Sequence, residues 1–390
     1  MDVRARYEAW LQSDVFDASV KEELTAIAGD EKEIKERFYG DLSFGTGGMR
    51  GIIGAGTNRI NRYTIRKATQ GLAKYILKQG AAAGGVAIAF DSRRMSPEFA
   101  QEAALCLCAN KIPVYIFESL RPTPELSFAL RELGCTAGIN ITASHNPPEY
   151  NGYKVYWSDG AQVTPPHDTG IMAEVEAVTD YADAKTMPLS EAQLAGLYHV
   201  IGEEIDERYI GALKQQVKRP DAIAAAGKDL TIVYTPLHGT GNLPVRRILK
   251  ELGFEKVYVV PEQELPDGDF PTVSYPNPEA AEAFELALTL AGKVDADLVL
   301  ATDPDADRLG VYVKDAATGE YRSLTGNMSG CLLADYEIGS LRETKGLPAA
   351  GALISTIVSS NMAGAVAAKY GVDFIEVLTG LRLQKKQNIL

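Results

Sequence analysis

No stretch of this chain runs the ~18 uninterrupted apolar residues that a membrane-spanning helix needs. The most apolar long segment, Ala280 to Ala301, is broken by Glu282, Glu285, Lys293, Asp295 and Asp297. The opening MDVRARYEAWLQSDVFD has no apolar core of a secretory leader, so a cytoplasmic protein is expected. Excess positive charge is also missing. The net charge of -13 argues against general binding to nucleic acid or to anionic membranes. Cysteine is scarce: Cys106, Cys108, Cys135 and Cys331 form no C-x-x-C pair, and the first two sit in an apolar run. A disulfide framework is therefore excluded, and reduced thiols in a core are expected. Oligomeric state cannot be read from these features.

What is present is an ordinary globular composition over 390 residues. At roughly 100–200 residues per domain, that length suggests two to four domains. The first ~40 residues read as amphipathic helices. A further helix is expected from about Tyr63 to Gln79. Three later stretches share one layout of short apolar strand, polar loop, helix and strand. Val86–Phe90 leads through Asp91-Ser-Arg-Arg94 to Val114–Phe117. Leu230–Tyr234 leads through Thr235-Pro-Leu-His-Gly-Thr-Gly241 to Val257–Val260. Ala352–Ile354 leads through Ser355-Thr-Ile-Val-Ser-Ser360 to Phe374–Val377. Each is the pattern of a βαβ unit, and repetition at intervals of about 120–145 residues suggests tandem domains. The expected class is α/β, with tandem domains whose mixed sheets are flanked by helices around a central cleft. Boundaries fall after residue 202 and residue 320, giving domains 1–202, 203–320 and 321–390.

Thr142-Ala-Ser-His-Asn-Pro-Pro148 follows the strand-like Gly138–Ile141. Paired prolines hold the loop rigid, and Ser144 is expected exposed at a strand end. A serine there is either a nucleophile or a plain loop hydroxyl. No G-x-S-x-G elbow surrounds it, and the adjacent His145 is badly placed as the base of a triad. A second apolar strand, Asp297–Thr302, delivers Asp303-Pro-Asp-Ala-Asp-Arg308. Three carboxylates at alternate positions repel one another, and a hard cation relieves that cost. An EF-hand is ruled out because Arg308 occupies its glycine position and Lys314 its glutamate position. Asp307 spoils a dehalogenase-type D-x-D-x-T/V pattern. A few carboxylates with open positions suit Mg²⁺ shared with a phosphate. The bland alternative is a solvated acidic turn. A glycine-rich run, Gly45-Thr-Gly-Gly-Met-Arg50-Gly, allows backbone amides to approach an anion, with Arg50 adding a bidentate donor. Lys154 supplies another cation. A nucleophilic hydroxyl, a carboxylate triplet, an anion-friendly loop and cations form the set that phosphoryl transfer requires.

Taken together, T-A-S-H-N-P at 142–147, D-P-D-A-D-R at 303–308 and F-G-T-G-G-M-R-G at 44–51 resemble the α-D-phosphohexomutase family, in particular its larger bacterial members. The resemblance runs from about Tyr7 to Gly380. It implies that Ser144 is a phosphoserine and that its phosphate shares a Mg²⁺ with Asp303, Asp305 and Asp307. It implies that Arg50 and Arg308 hold the phosphoserine site. His145 and Lys154 would assist proton movement and charge neutralisation. Thr379-Gly380 matches a sugar-contact turn, and Leu237-His-Gly-Thr240 a loop read as structural. The implied reaction interconverts glucose 1-phosphate and glucose 6-phosphate through glucose 1,6-bisphosphate, with sugar phosphates as the partners. Mannose or pentose phosphates are alternative substrates, and a catalytically impaired phosphosugar-binding remnant is a third reading.

After Gly380 the sequence departs from the family pattern, reading Leu381-Arg-Leu-Gln-Lys-Lys-Gln-Asn-Ile-Leu390. The sugar-selecting loop and a fourth domain with a phosphate clamp are expected to be missing. Gly326-Asn-Met-Ser-Gly330 looks like a sugar loop, but its position matches the start of the third domain. An unfinished third sheet should expose apolar side chains such as Phe374 and Val377.

Overall fold

The computed structural model describes residues 2–45 and 48–378. Thr379, Gly380 and the divergent tail, along with Thr46 and Gly47 of the glycine-rich run, lie outside the described residues. The chain gathers into two compact units. One comprises residues 1–206 with Asp267–Tyr275, and the other Glu207–Pro266 with Pro276–Leu390. Among the described residues, no helix is long and apolar enough to cross a membrane.

In the first unit, six strands form one mixed sheet: β1 (Gly48–Ile52), β2 (Val86–Phe90), β3 (Val114–Phe117), β4 (Ala137–Ile141), β5 (Tyr150–Trp157) and β6 (Tyr198–Ile201), in the order β1-β5-β4-β2-β3-β6. Strands β4, β2, β3 and β6 run parallel, whereas β5 is antiparallel to both β4 and β1. Every residue of β2 and β4 is buried, as expected for central strands covered on both faces. One face packs Val86, Ile88, Ile139 and Val155 under the helices Arg62–Lys78 and Ser96–Ala109. The other packs Ala87, Ala89 and Tyr156 under Leu126, Ala129 and Leu130 of the helix Thr123–Glu132. The helix expected over 63–79 spans Arg62–Lys78. Asn61 caps it reciprocally with Thr64, which fixes its start.

The amphipathic N-terminal segment forms helices over Val3–Gln12, Ala18–Ala26 and Glu31–Phe38. Their apolar faces close on a separate aromatic cluster in which Trp10 stacks on Phe16 at 4.0 Å and meets Phe38, Tyr63 and Tyr181 edge-on.

The second unit repeats the motif. Its sheet contains β7 (Thr231–Thr235), β8 (Lys256–Val259), β9 (Leu298–Thr302), β10 (Leu309–Lys314) and β11 (Tyr321–Leu324), in the order β11-β10-β9-β7-β8. A parallel pair, β12 (Ala352–Thr356) and β13 (Asp373–Val377), stands apart from it. The expected βαβ layouts are therefore all present. Gly326 begins the long helix Gly326–Thr344, whose N-terminus is capped by the Thr325 hydroxyl.

Two burial expectations need correction. Val377 is buried and Phe374 half-buried, because the helix Met362–Tyr370 lays Ala363, Val366 and Ala367 beside this pair of strands. Among the described residues of the segment, Ile357, Val358, Met362 and Leu378 are the exposed large apolar ones. Among the thiols, Cys106, Cys108 and Cys135 are buried, whereas Cys331 is half-buried. Burial pushes the Cys106 and Cys135 thiols up to about 12 and Cys108 up to about 11. A thiolate-directed reagent at pH 8 should therefore label Cys331 quickly and the other three only on unfolding. Mass mapping of the labelled cysteines checks this. Separately, Trp10→Ala should cost about 3–5 kcal/mol of stability by urea denaturation, because truncation empties the centre of the aromatic cluster.

Candidate active site and metal-binding loop

Both loops singled out from the sequence leave the carboxyl end of a parallel strand just before the chain reverses into an antiparallel neighbour. Ser144 follows β4 and precedes β5, while Asp303 follows β9 and precedes β10. Such strand ends are where α/β sheets place ligand sites.

The serine turn is built on an arginine that no motif in the sequence singles out. Ser144 has φ 54, a left-handed conformation that is uncommon for a residue with a side chain. Its amide donates to the Thr142 hydroxyl at 2.8 Å, and the Thr142 amide donates to the Gly152 carbonyl on β5 at 3.1 Å. From the loop after β2, the fully buried Arg93 guanidinium reaches beneath the turn. It donates to the carbonyls of Ser144 (2.6 Å), Pro147 (2.8 Å), Tyr150 (3.0 Å) and Asn146. Its Nε lies 3.4 Å from Asp91 Oδ2, and neither side chain reaches solvent. Asp91 Oδ1 in turn accepts the Arg93 amide at 3.0 Å and the Ser96 hydroxyl at 2.8 Å. Burial pushes the Asp91 carboxyl up, and the neighbouring guanidinium opposes that shift. Only a planar fork with several donors could gather so many carbonyls at once.

This arrangement alters the expectation for Ser144. The residue is only 2 % exposed rather than open at a strand end. Arg93 holds the turn inward through the carbonyls of Ser144 and Asn146. The same turn brings sequence neighbours together: Ser144 Oγ lies 3.2 Å from His145 Nδ1. His145, poorly placed for a triad by sequence adjacency, is within hydrogen-bonding reach of the serine.

Arg50 and Lys154 come from adjacent antiparallel strands. Arg50 on β1 stands opposite Gly152, and Lys154 on β5 stands opposite both Gly48 and Asn140. Directly paired residues share a face, so the two cations lie on the same side of the sheet. Lys154 is 7 % exposed, while Arg50 is exposed and donates to Asn146 Oδ1 at 3.4 Å. Asn140, fully buried beside Lys154, donates to Thr123 Oγ1 at 2.7 Å. For Gly48 and Gly152, close packing explains the lack of a side chain. A methyl group at Gly48 would lie 1.9 Å from the Tyr153 carbonyl oxygen, and one at Gly152 would lie 2.4 Å from that of Thr142.

In the second unit, Asp303, Asp305 and Asp307 present oxygens that all lie within 4.8 Å of one another. The first two are buried and the third is exposed. Ala306, at φ 51, reverses the chain between the last two carboxylates. Asp303 Oδ1 accepts the amides of Asp307 (3.1 Å) and Arg308 (3.0 Å), which fixes the turn. Arg308 lies 3.7 Å from Glu279. Two buried carboxylates beside a third carry a large repulsion. A set of hard oxygen donors fits a divalent cation of the Mg²⁺ kind.

The loop after β7, Pro236 to Thr240, braces this turn from behind. The Thr240 amide and hydroxyl both donate to the Pro304 carbonyl at 2.9 Å. A methyl at Gly239 would lie 2.5 Å from Pro304 Cα, so the two backbones are in direct contact. Leu237 and His238 are both left-handed (φ 47 and 60). They are held there by the Leu237 amide to Thr235 Oγ1 (3.1 Å), the His238 amide to the Gln263 carbonyl (3.0 Å), and a 3.1 Å hydrogen bond between His238 Nδ1 and the Leu265 carbonyl. The structural reading of this loop is consistent with these contacts.

Fold and loops thus define an α/β protein with a strained serine turn at one sheet edge and a carboxylate triplet at the corresponding edge of another. The family descriptions "Phosphoglucomutase/phosphomannomutase, alpha/beta/alpha domain I" and "domain II" match residues 41–182 and 207–319. The chain is 38% identical over 369 residues to a phosphoglucomutase of Staphylococcus epidermidis, covering 95% of this chain and 65% of that one. It is 39% identical over 350 residues to a phosphoglucomutase of Staphylococcus aureus, covering 90% of this chain and 61% of that one. Among solved structures, it superposes on a candidate phosphomannomutase of Thermus thermophilus with a TM-score of 0.73 at 24% identity, covering 89% of this chain and 71% of that one. The chain belongs to the phosphoglucomutase/phosphomannomutase family. It spans slightly less than two thirds of the length of these curated relatives.

If the triplet binds a cation, Asp305→Asn should weaken Mg²⁺ or Mn²⁺ affinity about tenfold or more, because coordination is largely charge attraction. Titration calorimetry of the two proteins reads this directly. Equal affinities would rule out the triplet as a metal site.

Proposed function

We propose that this chain carries the phosphoryl-transfer machinery of a phosphohexose mutase that interconverts glucose 1-phosphate and glucose 6-phosphate. The observation that carries the reading is the serine turn: a buried hydroxyl on a strained, over-determined loop, 3.2 Å from an imidazole nitrogen. A hydroxyl is a weak nucleophile until a neighbouring base takes its proton. The 38% identity to a phosphoglucomutase supports glucose phosphates as the substrates. We assign the serine to a domain over 1–202, the carboxylates to one over 203–320, and residues 321–390 to a third.

In the forward step, phospho-Ser144 faces the free hydroxyl of glucose 1-phosphate. The new bond forms between phosphorus and the sugar oxygen as the bond to Ser144 Oγ breaks. The sugar hydroxyl loses its proton, and Ser144 Oγ gains one, with His145 as the carrier within reach of Oγ. The product of this half is glucose 1,6-bisphosphate. After it reorients, the C1 phosphate returns to Ser144 by the reverse exchange and leaves glucose 6-phosphate. We assign Lys154 and Arg50, on one face of the sheet, to neutralising the phosphoryl oxygens, and Arg308 to the same task by its motif. Asp303, Asp305 and Asp307, with an oxygen of the Ser144 phosphate, would hold Mg²⁺, which as a Lewis acid offsets charge on the transferred group. Thr379 and Gly380 are assigned to sugar contact by their motif.

Ser144→Ala should abolish transfer of label from ³²P-glucose 1,6-bisphosphate to the protein while leaving its melting temperature within a few degrees. Peptide mapping locates the label in the unaltered chain. Label on any other residue would overturn the assignment. A coupled assay with Mg²⁺ and a trace of the bisphosphate then tests conversion of glucose 1-phosphate itself.

A further inference from the structure

Residues Asp267–Tyr275 are flanked on both sides by residues of the second unit, yet they belong to the first. This strap lies against the loop that carries Arg93. A methyl at Gly268 would lie 2.5 Å from the Arg94 amide nitrogen and 2.9 Å from the Ser92 carbonyl oxygen, so the two backbones touch. Asp269 forms an ion pair with Arg94. Next comes Phe270, which is completely buried and left-handed, at φ 47. A bulky aromatic side chain adopts that conformation only where its surroundings hold it. Here the Asp269 amide donates to Asp267 Oδ1 at 2.8 Å and the Val273 amide to the Phe270 carbonyl at 3.1 Å, closing the tip of the strap. The result is a phenyl ring 5.0 Å from Arg93 Cζ.

We propose that Phe270 is a positioning residue for phosphoryl transfer, acting on the serine turn through Arg93. The guanidinium directs its Nη donors at the carbonyls beneath Ser144, and its Nε lies 3.4 Å from Asp91 Oδ2, which leaves its flat faces. The guanidinium carbon lies over the Phe270 ring in a cation–π contact, and the buried ring keeps water from that side. In a dry surrounding, the hydrogen bonds to the carbonyls are strong and the turn has one conformation. Water at that face would compete for the donors, and the left-handed Ser144 would relax toward ordinary backbone angles. A leucine fills space comparably but offers no π face.

This inference rests on the proposed role of Ser144, so the test separates the two. Amide hydrogen exchange of the full chain reads the turn without reference to activity. Phe270→Leu is expected to speed exchange across residues 142–147 by about tenfold or more, leaving β2 and β4 as protected as before. At saturating ³²P-glucose 1,6-bisphosphate, the rate of label uptake should fall about tenfold, with the half-saturating concentration unchanged, as expected when alignment rather than binding is lost. Unchanged exchange across 142–147 overturns the proposal, as does a uniform acceleration over the whole unit, which would indicate a merely structural part. Faster local exchange in the variant, with no uptake even by the unaltered chain, would support the positioning role and refute Ser144 as the phosphate carrier. Should Phe270→Leu fail to fold, Asp269→Ala loosens the strap from its solvent side. It should raise exchange in the same residues by about two- to threefold, and no change there would equally sink the idea.

Discussion

The buried ion pair of Arg93 with Asp91 is the constraint on which the serine site depends. A guanidinium taken fully out of water carries a desolvation cost of several kcal/mol, which a carboxylate alone seldom recovers. Here the remainder is met by the carbonyls of Ser144, Asn146, Pro147 and Tyr150, three acceptors in one short loop and a fourth at the start of β5. The charge cannot be stable unless the loop is folded, and the loop cannot hold a left-handed serine unless the charge is there. Lysine could not replace the arginine, because a single ammonium has three donors at one point rather than a planar fork. The site is thus pre-formed by an interaction that costs more to break than to keep.

The two units solve the same problem with different chemistry. Strands β2, β3, β4 and β5 in the first correspond in order and direction to β7, β8, β9 and β10 in the second. In each, the functional loop leaves the strand at which parallel pairing gives way to antiparallel. In each, it is braced by the loop that follows the adjacent central strand. The brace in the first unit is a charged fork gathering several carbonyls. In the second it is neutral: Thr240 gives two hydrogen bonds to the Pro304 carbonyl, and Gly239 lets the backbones touch. The difference follows from what each turn must hold. The serine loop offers carbonyls that a guanidinium can gather, whereas the triplet turn already carries three carboxylates and is held through a carbonyl.

Much of this was legible before any coordinates. Strand, loop and helix alternation placed β2, β4, β7, β9, β12 and β13 to within a residue or two, because short β-branched runs bounded by polar turns have few other readings. Ser144, Asp303, Asp305 and Asp307 stood out because their residue types at that spacing are costly without a purpose. Arg93 did not, since an arginine in a polar stretch after a strand looks like an exposed loop cation, and its burial comes from contacts more than fifty residues away. The same limit hid Phe270, whose partners lie far off in sequence. The expected exposure of Ser144 failed for a related reason: local pattern gives the loop, but only the tertiary clamp turns it inward. In the glycine-rich run expected to face an anion, Gly48 is also required by the approach of the β5 backbone, a contact that the local pattern does not show.

That inward turn bears on how a serine at 2 % exposure could carry a phosphate at all. Phosphorylation brings roughly -1.5 to -2 charges at neutral pH, and a buried dianion without partners is prohibitively costly. The chain as a whole is acidic, with a net charge of -13, so the compensation must be local. Lys154 is itself nearly buried and stands directly opposite Asn140, one strand end away from the turn. Arg50 occupies the same face of the neighbouring edge strand. A buried cation would act on a phosphoryl group near it more strongly than an exposed one, because the medium there has a lower effective dielectric than water. On the proposed role of Ser144, the same burial would limit the approach of water to the phosphorus and slow its hydrolysis. An exposed serine with exposed cations would be easier for a substrate to reach and easier to hydrolyse. On the proposed role of Ser144 as carrier, the buried turn would give up ready access to gain retention, which a residue that must take its phosphate back requires.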